Sequence, residues 1–142
     1  MSGGWAALIE KNLLGGDCLN NGCVPSKTLL MSAKAANFCK NASKYGLKGH
    51  FEVDFEAVME WVRMIRCSIS KNDSVEWMTK IFGIDVYLGE GKFIDKQTIR
   101  VNDKELKFEH ACIATGSRPK IPPIKGLETI PYFTSENIFN IT

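Results

Sequence analysis

The most informative segment of the chain is GGDCLNNGCVPSK, residues 15–27, which places Cys18 and Cys23 where a glycine-containing loop becomes a helix. A helix N-terminus offers unpaired N–H groups and a partial positive charge, so it stabilises a thiolate and lowers a cysteine pKa from its usual value of about 8.5. Lys27 adds a cation one turn along. A disulfide needs Cα atoms about 4.4–6.8 Å apart, which a chain turning at Gly22 can satisfy. We therefore predict that the two cysteines form a redox-active dithiol/disulfide pair.

Two plainer interpretations of the pair remain open. The two cysteines could be zinc ligands, although zinc requires further Cys or His ligands nearby and His50 and His110 are isolated in the sequence. They could also be ordinary thiols. That is what we expect of Cys39, Cys67 and Cys112, which fall in helical or strand positions where cysteine is commonly a small buried residue. An odd total of five cysteines disfavours a structural disulfide framework.

Length and composition describe an ordinary globular chain. Its 142 residues are 44% hydrophobic and 24% charged, which predicts one domain with a single modest core. The formal charge of +2 arises from 18 basic and 16 acidic residues without a long run of either sign, so we expect neither a nucleic acid nor a membrane as partner. No stretch approaches the roughly 20 apolar residues that span a bilayer. The N-terminal apolar run ends at Glu10, so we expect no signal peptide and a cytoplasmic location.

Hydrophobic spacing predicts a strand and a helix around the cysteine segment. Residues 5–10 read as a short buried strand, and the glycines and polar residues of 12–22 predict a loop. Pro25 suits the first turn of a helix, where its missing N–H has no intrahelical partner to lose. This helix should last until the turn signals at Asn41 and Gly46.

A second helix should begin at Asp54, a residue that suits the N-cap position. Apolar residues recur after it with a 3.6-residue period, which predicts a helix that packs onto a sheet, breaks near Asn72 and ends at Gly83. From about residue 84 to 110 the period changes to two, which predicts an antiparallel β-meander whose first strand is Val86–Leu88.

The end of the chain combines one apolar strand with a proline-rich tail. HACIAT, residues 110–115, is apolar on both faces, so we expect it in the interior of a covered parallel sheet. Prolines punctuate the chain beyond it and favour an extended segment over any regular element.

The segment GGDCLNNGCVPSK resembles the redox-active disulfide motif of the class I pyridine nucleotide-disulfide oxidoreductases, flavoenzymes that include dihydrolipoamide dehydrogenase, mercuric reductase and glutathione reductase. Its Pro-Ser-Lys resembles the first two of these, and Asp17 is similar to the mercuric-reductase-like members. Ala-Thr-Gly-Ser-Arg-Pro, residues 114–119, resembles the family's second flavin signature. The resemblance implies an α/β fold over residues 1–142, namely a partial Rossmann-like FAD-binding domain with a parallel sheet, helices and the β-meander.

The resemblance also implies roles for individual residues. Cys23 would face the flavin, Cys18 would be the interchange sulfur that attacks or releases the substrate, and Lys27 would stabilise charge on the reduced flavin ring. Glu10 would bind the adenosine ribose of FAD, as acidic residues at strand ends do in dinucleotide folds. The backbone of Gly91 would lie against the adenine. The implied cofactor-binding residues are Glu10, Lys11, Gly16, Asp17, Cys18, Lys27, Gly91, Thr115, Gly116 and Ser117, and no metal ligand is implied.

The implied activity requires more than this chain contains. NAD(P)H would reduce FAD, FAD would reduce the cysteine disulfide, and the dithiol would reduce a disulfide or metal-ion substrate, with a homodimer as the complete enzyme. Ser2-Gly3-Gly4-Trp5 does not supply the Gly-x-Gly-x-x-Gly turn of the family's first strand, so we expect that strand and its glycine loop to be missing. We likewise expect the nicotinamide and dimerisation domains to be missing after Thr142. The chain is then either a truncated flavin-domain segment of such an oxidoreductase or an inactive fragment, which acts as an interaction module or reflects an incomplete gene model.

Overall fold

The computed structural model describes residues 4–142, which form a mixed α/β fold. The first three residues lie outside the described part. They include Ser2 and Gly3, which belong to the stretch Ser2-Gly3-Gly4-Trp5 that lacks the Gly-x-Gly-x-x-Gly turn. The fold contains a parallel sheet, a three-stranded antiparallel sheet and helices, as the α/β class predicts. In chain order, the elements are β1 (Ala7–Glu10), α1 (Gly16–Asn20), α2 (Cys23–Lys40), α3 (Phe55–Ser70), α4 (Val75–Phe82), β2 (Asp85–Leu88), β3 (Gly91–Phe93), β4 (Thr98–Val101) and β5 (Lys104–Lys107).

The chain divides into two compact units. The first contains the described part of Met1–Gly16 together with Ile69–Gly116, and the second contains Asp17–Ser68 and Ser117–Thr142. All five strands and α4 belong to the first unit. Helix α2 and the part of α1 after Gly16 belong to the second.

A two-stranded parallel sheet organises the first unit. Ala7 pairs with Asp85 and Glu10 with Leu88, and the Gly89 N–H extends the ladder by donating to Glu10 O at 2.8 Å. The predicted first strand is therefore present and begins at Ala7, but none of its residues is buried, contrary to the expectation. Parallel strands need a long crossover connection, and this one runs from the end of β1 straight into the cysteine segment.

The expectation that Val86–Leu88 opens the antiparallel meander is wrong. These residues belong to β2, which pairs in parallel with β1. Alternating apolar residues predict a strand but carry no information on the direction of its neighbour, which here comes from the distant start of the chain. The antiparallel sheet has the order β3-β4-β5 and spans residues 91–107.

Side-chain hydrogen bonds stabilise the two turns of the antiparallel sheet. Asp95 Oδ1 accepts the Gln97 N–H at 2.7 Å, and this hydrogen bond holds the pKa of the Asp95 carboxyl below its ordinary value. Asn102 has a φ of 52° at the β4–β5 turn, and its Nδ2 donates to Leu88 O at 3.0 Å. A Cβ at Gly89 would lie 2.7 Å from Asn102 Oδ1, so the turn packs closely on the end of β2.

The predicted strand HACIAT does not form. Residues 110–115 are irregular and exposed, and Ile113 is 71% exposed. A strand needs a neighbour for its backbone hydrogen bonds, and within residues 4–142 β1 and β2 bond only to each other. The tail that follows is irregular, as expected, except for two single 3-10 turns at Leu127–Thr129 and Ile138–Asn140.

In the second unit, the expected loop at residues 12–22 is partly helical, because α1 occupies its middle. Glycines and polar residues mark a loop in sequence, yet the short helix closes here with the Asn21 N–H donating to Asp17 O at 2.9 Å. The following helix, α2, begins at Cys23 and carries Pro25 in its first turn, as predicted.

The start of α3 is also confirmed. Asp54 Oδ1 accepts the Ala57 N–H at 3.0 Å, which satisfies one of the unpaired donors at the helix start. Met59 and Val62, one turn apart, are 0% and 1% exposed and form the buried face of the helix.

The predicted break near Asn72 is a 3-10 turn at Lys71–Asp73. Ser74 Oγ then accepts the Trp77 N–H at 3.2 Å and caps α4, which Gly83 ends with a φ of 64°. Among the helices within residues 4–142, none combines the length and apolar composition that crossing a membrane requires.

Replacing Asp54 by alanine should lower the free energy of unfolding by about 1 kcal/mol, because the Ala57 N–H loses its acceptor. Asp54→Asn keeps a side-chain oxygen at the N-cap and should cost less than about half as much. Chemical denaturation followed by far-UV circular dichroism measures both variants. Equal stability of Asp54→Ala and the parent would contradict the cap.

Candidate functional site

The two cysteines of the motif lie on either side of the junction between α1 and α2. Cys18 is in α1, and Cys23 is the first residue of α2. Both are exposed thiols that are not joined by a disulfide. The residues beside them anchor the junction, since Leu19 is 3% exposed and Pro25 is fully buried. The two thiols are therefore exposed to solvent, while buried neighbouring residues hold the backbone that carries them.

Gly22 lets the two helices meet at this junction. An added Cβ would lie 2.7 Å from Asp17 O and 3.3 Å from Cys18 Cα, distances that real Cβ atoms avoid. The nearby Asp17 carbonyl therefore leaves no space for a side chain at position 22. The start of α2 is thereby brought against the start of α1, and Cys23 against Cys18.

A hydrogen bond between the two sulfurs controls the ionisation of Cys18. The Cys18 thiol donates to Cys23 Sγ, and this bond is the main reason that the pKa of Cys18 lies above its ordinary value. The Cys23 N–H and the Lys27 ammonium act in the opposite direction. The expected effect of the helix start is thus present but smaller than that of the neighbouring thiol. The prediction of a lowered pKa is wrong for Cys18.

Two predicted flavin contacts, Glu10 and Gly91, lie on strands of the first unit. Glu10 ends β1, and its Oε1 accepts the Asn12 N–H at 2.8 Å, which orients the carboxylate. Gly91 opens β3, where an added Cβ would lie 3.2 Å from Ile9 Cγ2 and 3.4 Å from Ile99 Cγ2. Packing between strands is enough to require glycine at this position, and its contact with adenine stays a prediction.

The second flavin signature is an exposed, irregular segment. Gly116 has a φ of 71°, in the left-handed region that favours glycine, and Thr115 and Ser117 flank it without a regular element. Just after it, Arg118 Nε lies 3.3 Å from Glu136 Oε1, so an ion pair ties the segment to the tail of the chain.

The predicted site residues are divided between the two units. The first unit holds Glu10, Lys11, Gly16, Gly91, Thr115 and Gly116. The second unit holds Asp17, Cys18, Cys23, Lys27 and Ser117. Cys18 interacts electrostatically with Cys23 and Lys27, and Lys11 and Gly16 are exposed. The cofactor-binding roles of both sets stay predictions.

The three remaining cysteines do not have the expected burial. Cys39, Cys67 and Cys112 are all exposed. Two lie on helices whose buried faces are narrower than the apolar spacing suggests, and Cys112 lies in the segment that forms no strand. Within residues 4–142, no group of three or more His, Cys, Asp and Glu side chains is arranged to hold a metal ion.

One residue near the site was not identified from the sequence. Arg66 Nη1, on α3, donates to Asn20 O at 3.3 Å, at the end of α1 and between the two cysteines. A signal for it did exist, because Arg66 follows Met59 and Val62 at the spacing that continues the buried face of α3. A charged residue on a buried face requires a polar partner.

Comparison with known proteins places these features in context. Residues 2–141 match the family described as pyridine nucleotide-disulphide oxidoreductase. The chain is 37% identical to a dihydrolipoyl dehydrogenase of Acholeplasma laidlawii, over 89% of this chain and 38% of that protein. It is 32% identical to a mercuric reductase of Lysinibacillus sphaericus, over 98% of this chain and 26% of that protein. The chain therefore spans well under half the length of either relative.

A solved structure is similar in fold as well as in sequence. The HOCl-induced flavoprotein disulfide reductase RclA from Escherichia coli superposes with a TM-score of 0.76 at 27% identity. The superposition covers 99% of this chain and 29% of that one. The α/β architecture described above is thus that of part of a flavoprotein reductase.

Replacing Cys23 by alanine should lower the pKa of Cys18 toward its ordinary value, because the thiol loses the sulfur to which it donates. Alkylation by iodoacetamide requires the thiolate, so the pH at which the alkylation rate of Cys18 is half-maximal should be lower in the variant. The rate is measured from the mass of the tryptic peptide 12–27. Cys39→Ala, another exposed cysteine of α2, serves as control and should leave the midpoint unchanged. An unchanged midpoint in Cys23→Ala would refute the sulfur–sulfur hydrogen bond.

Replacing Gly22 by alanine should push α2 away from Asp17 O and separate the two sulfurs. The equilibrium constant for the Cys18–Cys23 disulfide against glutathione should fall by roughly tenfold. Gly49→Ala is the matched control, since an added Cβ there has no neighbour within 4 Å. If both variants formed the disulfide as readily as the parent, the close approach at Gly22 would have no part in the pairing.

Proposed function

Because this chain belongs to the pyridine nucleotide-disulphide oxidoreductase family, we propose that Cys18 and Cys23 form its redox-active pair and pass electrons from a flavin to an oxidised substrate. The observation that carries the proposal is the hydrogen bond between two exposed thiols at one helix junction. A pair that exchanges a disulfide for two thiols must have both sulfurs within bonding reach, with one of them open to the substrate. The junction meets both requirements.

The residues of the first unit fit the adenosine end of FAD, the cofactor of this family of flavoproteins. Glu10 offers an oriented carboxylate at the carboxyl end of a parallel strand, which is where α/β folds hydrogen-bond ribose hydroxyls. The exposed backbone at Gly116 lets a flat ligand approach without a side chain in the way. When bound, FAD supplies a two-electron carrier between a nicotinamide donor and the cysteine pair.

We assign distinct tasks to the three residues of the cysteine junction. Cys23 accepts electrons, Cys18 is the interchange sulfur, and Lys27 holds positive charge beside them. In reducing a disulfide, the Cys18 thiolate attacks one substrate sulfur and the other leaves as a thiol. Cys23 then attacks the Cys18 sulfur of the mixed disulfide, which releases the second substrate thiol and leaves the Cys18–Cys23 disulfide, so two electrons and two protons reach the substrate. The raised pKa keeps Cys18 protonated at neutral pH, so the attack requires a base that removes its proton.

Two classes of electron acceptor are compatible with this chemistry. The relatives include mercuric reductases, and the structural neighbour is a disulfide reductase. A thiol pair serves either substrate, because thiolates are soft ligands for metal ions and nucleophiles toward disulfides. We propose a disulfide or a soft metal ion as the acceptor, with NAD(P)H as electron donor and a homodimer as the assembled enzyme.

The redox pair is tested by the masses of tryptic peptides. Trypsin releases residues 12–27 as one peptide that contains Cys18, Cys23 and no other cysteine. Mild oxidation of the native chain should make this peptide lighter by two hydrogens, and dithionite should restore its mass. Cys18→Ser and Cys23→Ser should each abolish the change, whereas Cys67→Ser should not.

Flavin is followed separately, by the visible absorbance of the purified chain and of the chain mixed with FAD. A bound flavin should bleach when reduced, and its electrons should then appear as thiols in peptide 12–27. A colourless chain whose peptide 12–27 never oxidises would favour the inactive interaction module over the redox protein.

A further inference from the structure

We propose that Arg66 is a positioning residue for the Cys18–Cys23 pair, an inference that rests on the redox function proposed above. Arg66 Nη1 donates a hydrogen bond to Asn20 O at 3.3 Å. Asn20 ends α1 and lies between the two cysteines in sequence. The bond therefore attaches α3 to the short segment that sets the spacing of the two sulfurs.

The position of Arg66 on α3 suits this task. Met59, Val62 and Arg66 share one face of the helix, and the first two are 0% and 1% exposed. Arg66 itself is half-buried, which leaves its stem against the packed face and its guanidinium at the edge. The helix thus provides a fixed base from which the guanidinium reaches α1.

The partner of Arg66 is also suited to the bond. The last carbonyls of a helix have no intrahelical donor, and arginine is a common donor to them. The bond joins residues 46 positions apart, whereas the Asn21 N–H to Asp17 O bond and the close approach at Gly22 act within the junction itself. Local contacts determine the conformation of the junction, and the Arg66 hydrogen bond attaches the end of α1 to α3.

This tie bears directly on the redox equilibrium. In the reaction with oxidised glutathione, the Cys18 and Cys23 thiols lose two hydrogens to form their disulfide, and two glutathione thiols are released. The S–S bond is about 2.05 Å long, so any freedom of α1 lowers the effective concentration of one sulfur at the other. The cation that acts on the Cys18 thiol is the Lys27 ammonium. Arg66 acts through its hydrogen bond and the position of α1.

The experiment is a redox titration of the 142-residue chain in glutathione buffers, read from the mass of peptide 12–27. Arg66→Met keeps the length of the stem and removes the donor, and it should lower the disulfide equilibrium constant by roughly tenfold, equivalent to about 30 mV. Arg66→Lys keeps the charge but replaces the planar guanidinium by a compact ammonium, so the constant should fall by about threefold. Arg63→Met is the matched control, because the ion pair of Arg63 is local, with Glu60 at 3.3 Å on the same helix. The disulfide constant of this variant should stay within about twofold of the parent.

The outcomes separate this inference from the function on which it rests. A parent chain whose peptide never loses two hydrogens overturns the redox pair and the positioning role together. A parent that forms the disulfide, with Arg66→Met equal to Arg63→Met, overturns the positioning role alone. Far-UV circular dichroism identifies a variant that has failed to fold. If Arg66→Met is such a variant, Arg66→Lys decides, and a constant equal to that of the parent overturns the hydrogen-bond role.

Discussion

The contact between Gly22 and the Asp17 carbonyl is the constraint on which the candidate site depends. A side chain at position 22 would occupy the space of that carbonyl, so the absence of one allows α2 to begin against α1. Cys18 and Cys23 become hydrogen-bonded neighbours as a result, and that bond keeps the proton on Cys18. The lack of space for a side chain at Gly22 thus contributes to the raised pKa of Cys18.

In the first unit, close packing of the strands surrounds the end of β1. Its parallel pair of strands ends at Glu10, which stands at the sheet edge where this class of fold binds nucleotides. Close packing recurs there, since the side chains of Ile9 and Ile99 crowd Gly91 and the side chain of Asn102 crowds Gly89. In both units, glycine lies where backbone must come within contact distance of another part of the protein.

Local signals in the sequence were sufficient for the features that depend on neighbouring residues. Pro25 predicted the start of α2, Asp54 capped α3, and the cysteine motif predicted two adjacent sulfurs. Features that depend on distant residues could not be read in this way. The direction of β2 is set by β1, and HACIAT has the composition of a strand but no neighbour among residues 4–142. The raised pKa of Cys18 required the actual geometry, because two opposing effects act on one thiol and only their relative strength decides the direction.

The long crossover between β1 and β2 has a consequence for the newly made chain. Ala7 pairs with Asp85, so the parallel sheet forms only after a loop containing α1, α2, α3 and α4 has closed. Loop closure becomes less favourable with length, whereas helices and their immediate junctions form in about a microsecond. Asp85 is synthesised after both cysteines, so the parallel sheet cannot form until the whole cysteine segment has been made. The sheet edge at Glu10 is therefore completed only after the cysteine segment has been synthesised, although Glu10 precedes both cysteines in the chain.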